Sequence, residues 1–116
     1  MRLTDTIHVR MSTVAKRWLE PTPAKIYGAL AVHKDIVQGK RQLWRITHVA
    51  SGMRVLGELT LKAAVAMAKE LQALPEWAEP TLCTDDPDRQ ILSKLACAVR
   101  EARDFHTAGG TREVAA

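Results

Sequence analysis

Residues 43–57 constrain this chain more than any other stretch. Leu43–Val49 is rich in aromatic and β-branched residues (Trp44, Ile46, Thr47, Val49), which suit a pleated, half-buried surface. Ala50-Ser51-Gly52 follows as a short loop whose glycine can take φ > 0, and Met53–Gly57 returns as a second strand. Strands joined this closely are antiparallel. A lone hairpin is marginal in water, so other elements have to cover it. Upstream, Lys25–Lys34 reads as a further strand ending before the turn signal Gln38-Gly39-Lys40. Its Ile26, Leu30 and Val32 share one parity; Tyr27, Ala29, Ala31 and His33 share the other.

Two helices follow. Thr60 is a good N-cap, and Leu61–Leu74 is rich in Ala, Leu, Lys, Met and Glu. Ala64, Met67, Ala68 and Leu71 recur at helical spacing, a narrow face that can sit close to a sheet, and Pro75 closes the run. Residues 76–85 read as a loop holding Trp77. Asp86 before Pro87 signals a second helix start. From Ile91 through Leu95, Ala98 and Ala102 to Phe105 runs a long apolar stripe, and Ala108-Gly109-Gly110 stops it. The expected fold is α+β: a three-stranded antiparallel sheet followed by two helices, in a single domain over residues 1–110 with a flexible tail at 111–116. The long stripe can be covered by a second copy, giving a homodimer, or by both helices lying side by side on one sheet face.

Before residue 25 the pattern is ambiguous. Ile7, Val9 and Met11 alternate like a short strand. Ser12 could cap a helical turn carrying Val14, Ala15, Trp18 and Leu19, and Pro21 and Pro23 read as terminators.

The 116 residues suit one domain, and 47% hydrophobic with 26% charged residues is globular composition. No apolar run is long enough to span a bilayer, and the first residues lack a signal-peptide core, so a cytoplasmic protein without a membrane partner is expected. Charge is the most informative property. Residues 1–54 carry ten Lys/Arg against three acids, a net of +7; residues 55–116 carry −3. A basic half of this kind attracts nucleic acid or an acidic protein.

A hairpin register with Val49 near Met53 and Thr47 near Val55 sorts the side chains. Leu43, Arg45, Thr47, Val49, Met53 and Val55 would join Ile26, Leu30 and Val32 under the helices, although Arg45 fits that face poorly. Trp44, Ile46, His48, Arg54, Leu56 and Glu58 would join Tyr27, Ala29, Ala31 and His33 on the open face. With the turn residues, this makes Lys40, Arg41, Trp44, His48 and Arg54 the candidate binding residues. If Trp44 is instead a core tryptophan, the faces invert and the surface must be sought around Arg45 or elsewhere.

The stretch Tyr27–Leu71 resembles a known family. Gly39-Lys40-Arg41-Gln42-Leu43-Trp44-Arg45-Ile46, then Arg54-Val55-Leu56-Gly57-Glu58-Leu59-Thr60, then Ala63-Ala64-Val65-Ala66 is similar to three-stranded-sheet DNA-binding domains. These occur in plant ethylene-response factors and in the arm-binding domains of phage integrases. The resemblance implies a sheet that enters the major groove. Trp44 and Arg54 match contact positions, with Lys40 and Arg41 in the matching turn. The first strand reads Tyr27-Gly28-Ala29-Leu30, without the family's arginines. His48 stands where Arg is common, Ile46 where an acid is common, and Leu56 near a usual Trp.

Catalytic patterns are absent from the sequence. The four histidines with Cys83 and Cys97 show no metal-ligand spacing, although His33 and His48 could come together on one sheet face. Cys97 falls on the helix stripe, where cysteine acts as a small apolar residue. Asp85, Asp86 and Asp88 lack the other ligands of a calcium loop. No Gly-rich phosphate loop follows a strand. The expectation is a non-enzyme without cofactors. One reading is a phage- or plasmid-type inhibitor of the anti-CRISPR or anti-restriction class, occupying a surface of a nucleoprotein complex or acidic protein. The alternative is a DNA-binding accessory protein or regulator that contacts duplex DNA through a basic sheet face.

Overall fold

Pro21 and Pro23 do not end a strand; they lie inside one. The computed structural model describes residues 2–107. Its strands are β1 (Asp5–Ser12), β2 (Arg17–Tyr27), β3 (Leu30–Gln38), β4 (Arg41–His48) and β5 (Arg54–Leu59). They form one antiparallel sheet in chain order. Helix α1 (Leu61–Leu71), two single 3-10 turns (Pro75–Ala78 and Pro80–Cys83) and helix α2 (Arg89–Thr107) follow. The α+β class, the antiparallel sheet and the two helices agree with expectation; the sheet has five strands, not three. The expected helix stop at 108–110 and the tail at 111–116 lie outside the described residues.

The extra strands come from the ambiguous N-terminal segment. Thr13 makes a tight turn instead of a helix start: its Oγ1 accepts the N–H groups of Ala15 and Lys16 at 3.3 and 3.2 Å. Pro21 pairs with His8 and Pro23 with Thr6. The two prolines share a parity, so their missing donors fall on the same edge of β2. That edge has no neighbour there, because β2 pairs with β3 only through Lys25–Tyr27. A strand with one open edge tolerates proline.

Expected as one strand, residues 25–34 are two. Gly28, at φ +60°, makes the tight turn from β2 into β3. Beyond that turn the β1–β2 hairpin bends across the sheet. Ile7, Val9 and Ala24 pack on Ala31 and Val49. The Arg10 N–H donates to the Gly52 carbonyl at 2.9 Å, closing β1 onto the β4–β5 turn. Gly52 sits at φ +73°, and a Cβ there would lie 2.7 Å from the His8 carbonyl oxygen, so only glycine fits.

Leu30 and Val32 lie under the helices as expected, but the register turns β4 over relative to them. Val32 pairs with Ile46 and Leu30 with His48. Leu30, Val32, Trp44 and Ile46 therefore form the helix-covered floor with Met67 and Leu71. Across β4 and β5, Ile46 faces Leu56 but Thr47 faces Arg54, with an irregularity between the two pairs. Simple alternation breaks at that bulge, which carries Arg54 onto the face of Thr47.

Helix α1 lies on β3 and β4, and α2 packs on α1. Both helices thus cover one sheet face, with Leu95 and Ala102 of the α2 stripe buried within the single chain. The Thr60 cap forms as expected, its Oγ1 accepting the Ala63 N–H at 3.1 Å. The cap of α2 is Asp88 rather than Asp86; its Oδ1 accepts the N–H groups of Gln90 and Ile91. No helix among the described residues is long and apolar enough to cross a membrane.

Candidate functional site

The five expected site residues do not share a surface. Trp44 is 8% exposed and His48 only 1%. Both point to the helix side: Trp44 belongs to the core cluster of Met67 and Leu71, and His48 lies opposite Leu30 and stacks on Trp77. Lys40 and Arg41 are exposed at the β3–β4 turn, and Arg54 is exposed at the start of β5. The Arg41 and Arg54 positions lie at opposite ends of β4, about 20 Å apart at a strand's rise per residue.

His33 and His48, expected on one face, lie on opposite faces. On the helix side the His48 ring stacks on Trp77, centroids 5.3 Å apart. Its Nε2 lies 2.8 Å from the Trp77 carbonyl and its Nδ1 2.6 Å from Ser51 Oγ. A carbonyl can only accept, so the neutral ring carries its proton on Nε2 and accepts the Ser51 hydroxyl at Nδ1. Ser51 Oγ in turn accepts the Met53 N–H. On the other face His33 Nε2 meets Thr47 Oγ1 at 2.7 Å, and Nδ1 donates to the Lys34 carbonyl. Burial pushes both imidazoles below their ordinary value. For His33 the nearby Arg45 cation adds to this, opposed by the Lys34 carbonyl and Asp35. Each histidine is a satisfied structural residue whose two ring nitrogens are committed to the protein.

Asp35 ties three strands together. From β3 its carboxylate accepts Arg45 Nη2 of β4 at 2.9 Å and the Glu58 N–H of β5 at 2.8 Å, with the side chain 3% exposed. Arg45, the poor fit for an apolar face, is explained by this pair. Both cysteines are free and exposed, so Cys97 does not belong to the buried stripe. No group of three or more His, Cys, Asp or Glu among the described residues could hold a metal ion.

What the surface does offer is a coincidence of apolar and basic side chains. Among the described residues the exposed large hydrophobics are Met11, Val14, Leu19, Ile26, Ile36 and Val37. All fall in the basic half of the chain. Met11, Val14 and Leu19 cluster at the β1–β2 hairpin end with exposed Arg10, Lys16 and Arg17. Trp18 lies among them, its Nε1 donating to Glu20 at 3.0 Å and its ring 5.2 Å from Lys16 Nζ. A hollow of about 460 Å³ at this end is lined by Arg10, Met11, Arg17, Trp18 and Leu19, with Asp85 across from them. Ile36 and Val37 flank the other basic turn, Lys40-Arg41. Sequence reasoning read the alternation that forms β1 but missed its partner in the β1–β2 arm, because the prolines masked β2.

No family model, curated protein or solved structure matches the chain.

Proposed function

We propose that this is a small non-enzymatic binding protein whose β1–β2 arm engages an acidic partner, either a protein or a nucleoprotein complex. The observation that carries the reading is the overlap of exposed aliphatic side chains with the exposed cations at the arm's end. Apolar side chains left in water beside Arg and Trp are the make-up of a contact surface, since those residues dominate interface energetics. Cations around the patch steer an acidic partner and set its orientation. An inhibitor of the anti-CRISPR or anti-restriction kind works in this way, by occupying a surface rather than by catalysis.

The DNA alternative rests on Arg10, Lys16, Arg17, Lys40 and Arg41 as phosphate contacts, since Trp44 is turned inward. A photo-crosslinking residue at Val14 tests the main reading, with the same residue at Ser93 on α2 as control. In host lysate the Val14 probe is expected to capture one discrete protein, and Arg10→Glu with Arg17→Glu to abolish the capture. Equal capture from Ser93 would refute the arm as the surface. Retention of random-sequence duplex DNA, weakening steeply with salt, would favour the alternative.

A further inference from the structure

A second surface lies on the far side of the sheet, and its argument is independent of the arm. β5 is the last strand, and its outer edge pairs with nothing among the described residues. Helix α2 packs on α1 and stands off from β5. The groove between them holds about 270 Å³, with Trp77 and His48 at its base and Leu92, Leu95 and Val99 along the helix wall. Arg100 and Arg103 of α2, both exposed, stand on its helix wall, Arg103 with Asp104 beside it at 3.3 Å, and no carboxylate lines the groove itself. Arg54 borders the groove by its backbone, while its guanidinium lies by Gly57 and Asp35.

We propose that this groove takes an extended acidic segment of a partner protein, added to β5 as a sixth strand. An unpaired strand edge offers main-chain N–H and C=O groups in register for another strand. The regular stretch is short, because Glu58 turns the chain at φ +57°. It offers Arg54–Gly57, enough to pair with a short peptide. Alternate side chains of that peptide would enter the apolar groove, and the others would place carboxylates on the arginines, where charge-assisted pairs are strongest.

The charge distribution decides among occupants. A second copy placed by a twofold axis would bring its own two α2 arginines against these two. The chain's own end, Thr111–Ala116, has one Arg and one Glu and so no acidic excess. A nucleic acid would satisfy the arginines but not the apolar wall or the strand edge.

The probe is a fluorescein-labelled peptide of about eight residues that alternates Asp or Glu with Val or Leu, titrated into the full chain by anisotropy. Saturable binding is expected, with amide shifts at Val55–Gly57 in nitrogen-15 NMR spectra. Arg100→Glu with Arg103→Glu should weaken it by more than about tenfold. Both residues are exposed, and circular dichroism checks that the variant remains folded. Methylation of the peptide's edge-facing amides should abolish binding, whereas Arg10→Glu with Arg17→Glu should leave it unchanged. No saturation up to about 1 mM peptide would overturn the proposal. So would undiminished binding of the methylated peptide, tighter binding of a Lys-for-acid peptide, or a dimer broken by Val99→Glu in a chain that ignores the peptide.

Discussion

The two faces of the β3–β4 ladder are covered in different ways. The helix side buries Leu30, Val32, Trp44 and Ile46 against Met67, Leu71, Trp77 and Leu82. The hairpin side has a smaller cluster, Ile7, Val9, Ala24 and Ala31 with half-buried Val49, next to the polar pair His33 and Thr47. Stabilisation follows the apolar area removed from water. The helix side is therefore the anchor of the fold. The hairpin side is a thin cover held at one end by the Arg10–Gly52 hydrogen bond. The difference teaches that the two covers should not open together: the hairpin, with less apolar area buried, should open at a lower free energy than the body.

The largest expected effect tests the anchor. Trp44→Ala removes a large buried side chain from the helix side and should cost about 3–5 kcal/mol in denaturant unfolding. A cost near zero would mean that Trp44 is exposed and that the faces are reversed. Next comes the cover. Gly52→Ala forces a Cβ against the His8 carbonyl and a side chain into positive φ, so it should cost about 2 kcal/mol. Hydrogen exchange should then show faster exchange of β1 amides while those of β4 change little. Uniform acceleration through both strands would show that the hairpin and body open as one unit.

The pH dependence sharpens the same contrast, since one buried histidine lies on each face. Each has its folded pKa lowered from 6.5. Below that value the unfolded chain binds protons that the folded chain resists. Their contribution is thus complete above pH 6.5 and is lost as pH falls from there toward the folded values. Denaturant midpoints at pH 7.5 and pH 5 should show this fall, and His48→Gln should reduce it, because Gln does not titrate. An identical fall in that variant would assign the effect to other groups. The smallest effect on stability is expected from Arg10→Glu with Arg17→Glu, within about 0.5 kcal/mol because both side chains are exposed. Thermal unfolding checks that figure, and a larger loss would show that the arm's charges hold it to the body.

Much of the body is legible in the sequence. The β4–β5 hairpin, the Thr60 cap, α1 and the apolar stripe of α2 follow from alternation, capping and helical spacing. The arm and the faces do not. A proline ends a strand only if the missing donor is needed. Whether β2 has a neighbour on that edge is a property of the bend beyond Gly28, not of residues 17–24. The faces turn on a single bulge: Trp44, Ile46 and Leu56 belong together by alternation, but Arg54 does not, because the irregularity beside Thr47 moves it across. Arg45 pointed to the other face from the start, since a cation with no visible partner argues against the core; its partner Asp35 is ten residues away on another strand. Lys40 and Arg41 are exposed as expected. The groove beside β5 could not be seen, because its arginines come from α2, in the acidic half of the chain.

Chain-order pairing of the strands also bears on synthesis. Each ladder joins neighbours in sequence, so most of the sheet can form as it leaves the ribosome, with little loop to close. The bond from Arg10 to Gly52 is different, because its two ends are some forty residues apart. At translation rates of about 5–20 residues per second, the completed β1–β2 hairpin waits about 1–6 s for the turn that receives it. Throughout that interval Ile7 and Val9 face water. The nascent chain is most open to chaperones, and to mispairing with a neighbouring copy, while this first hairpin is uncovered.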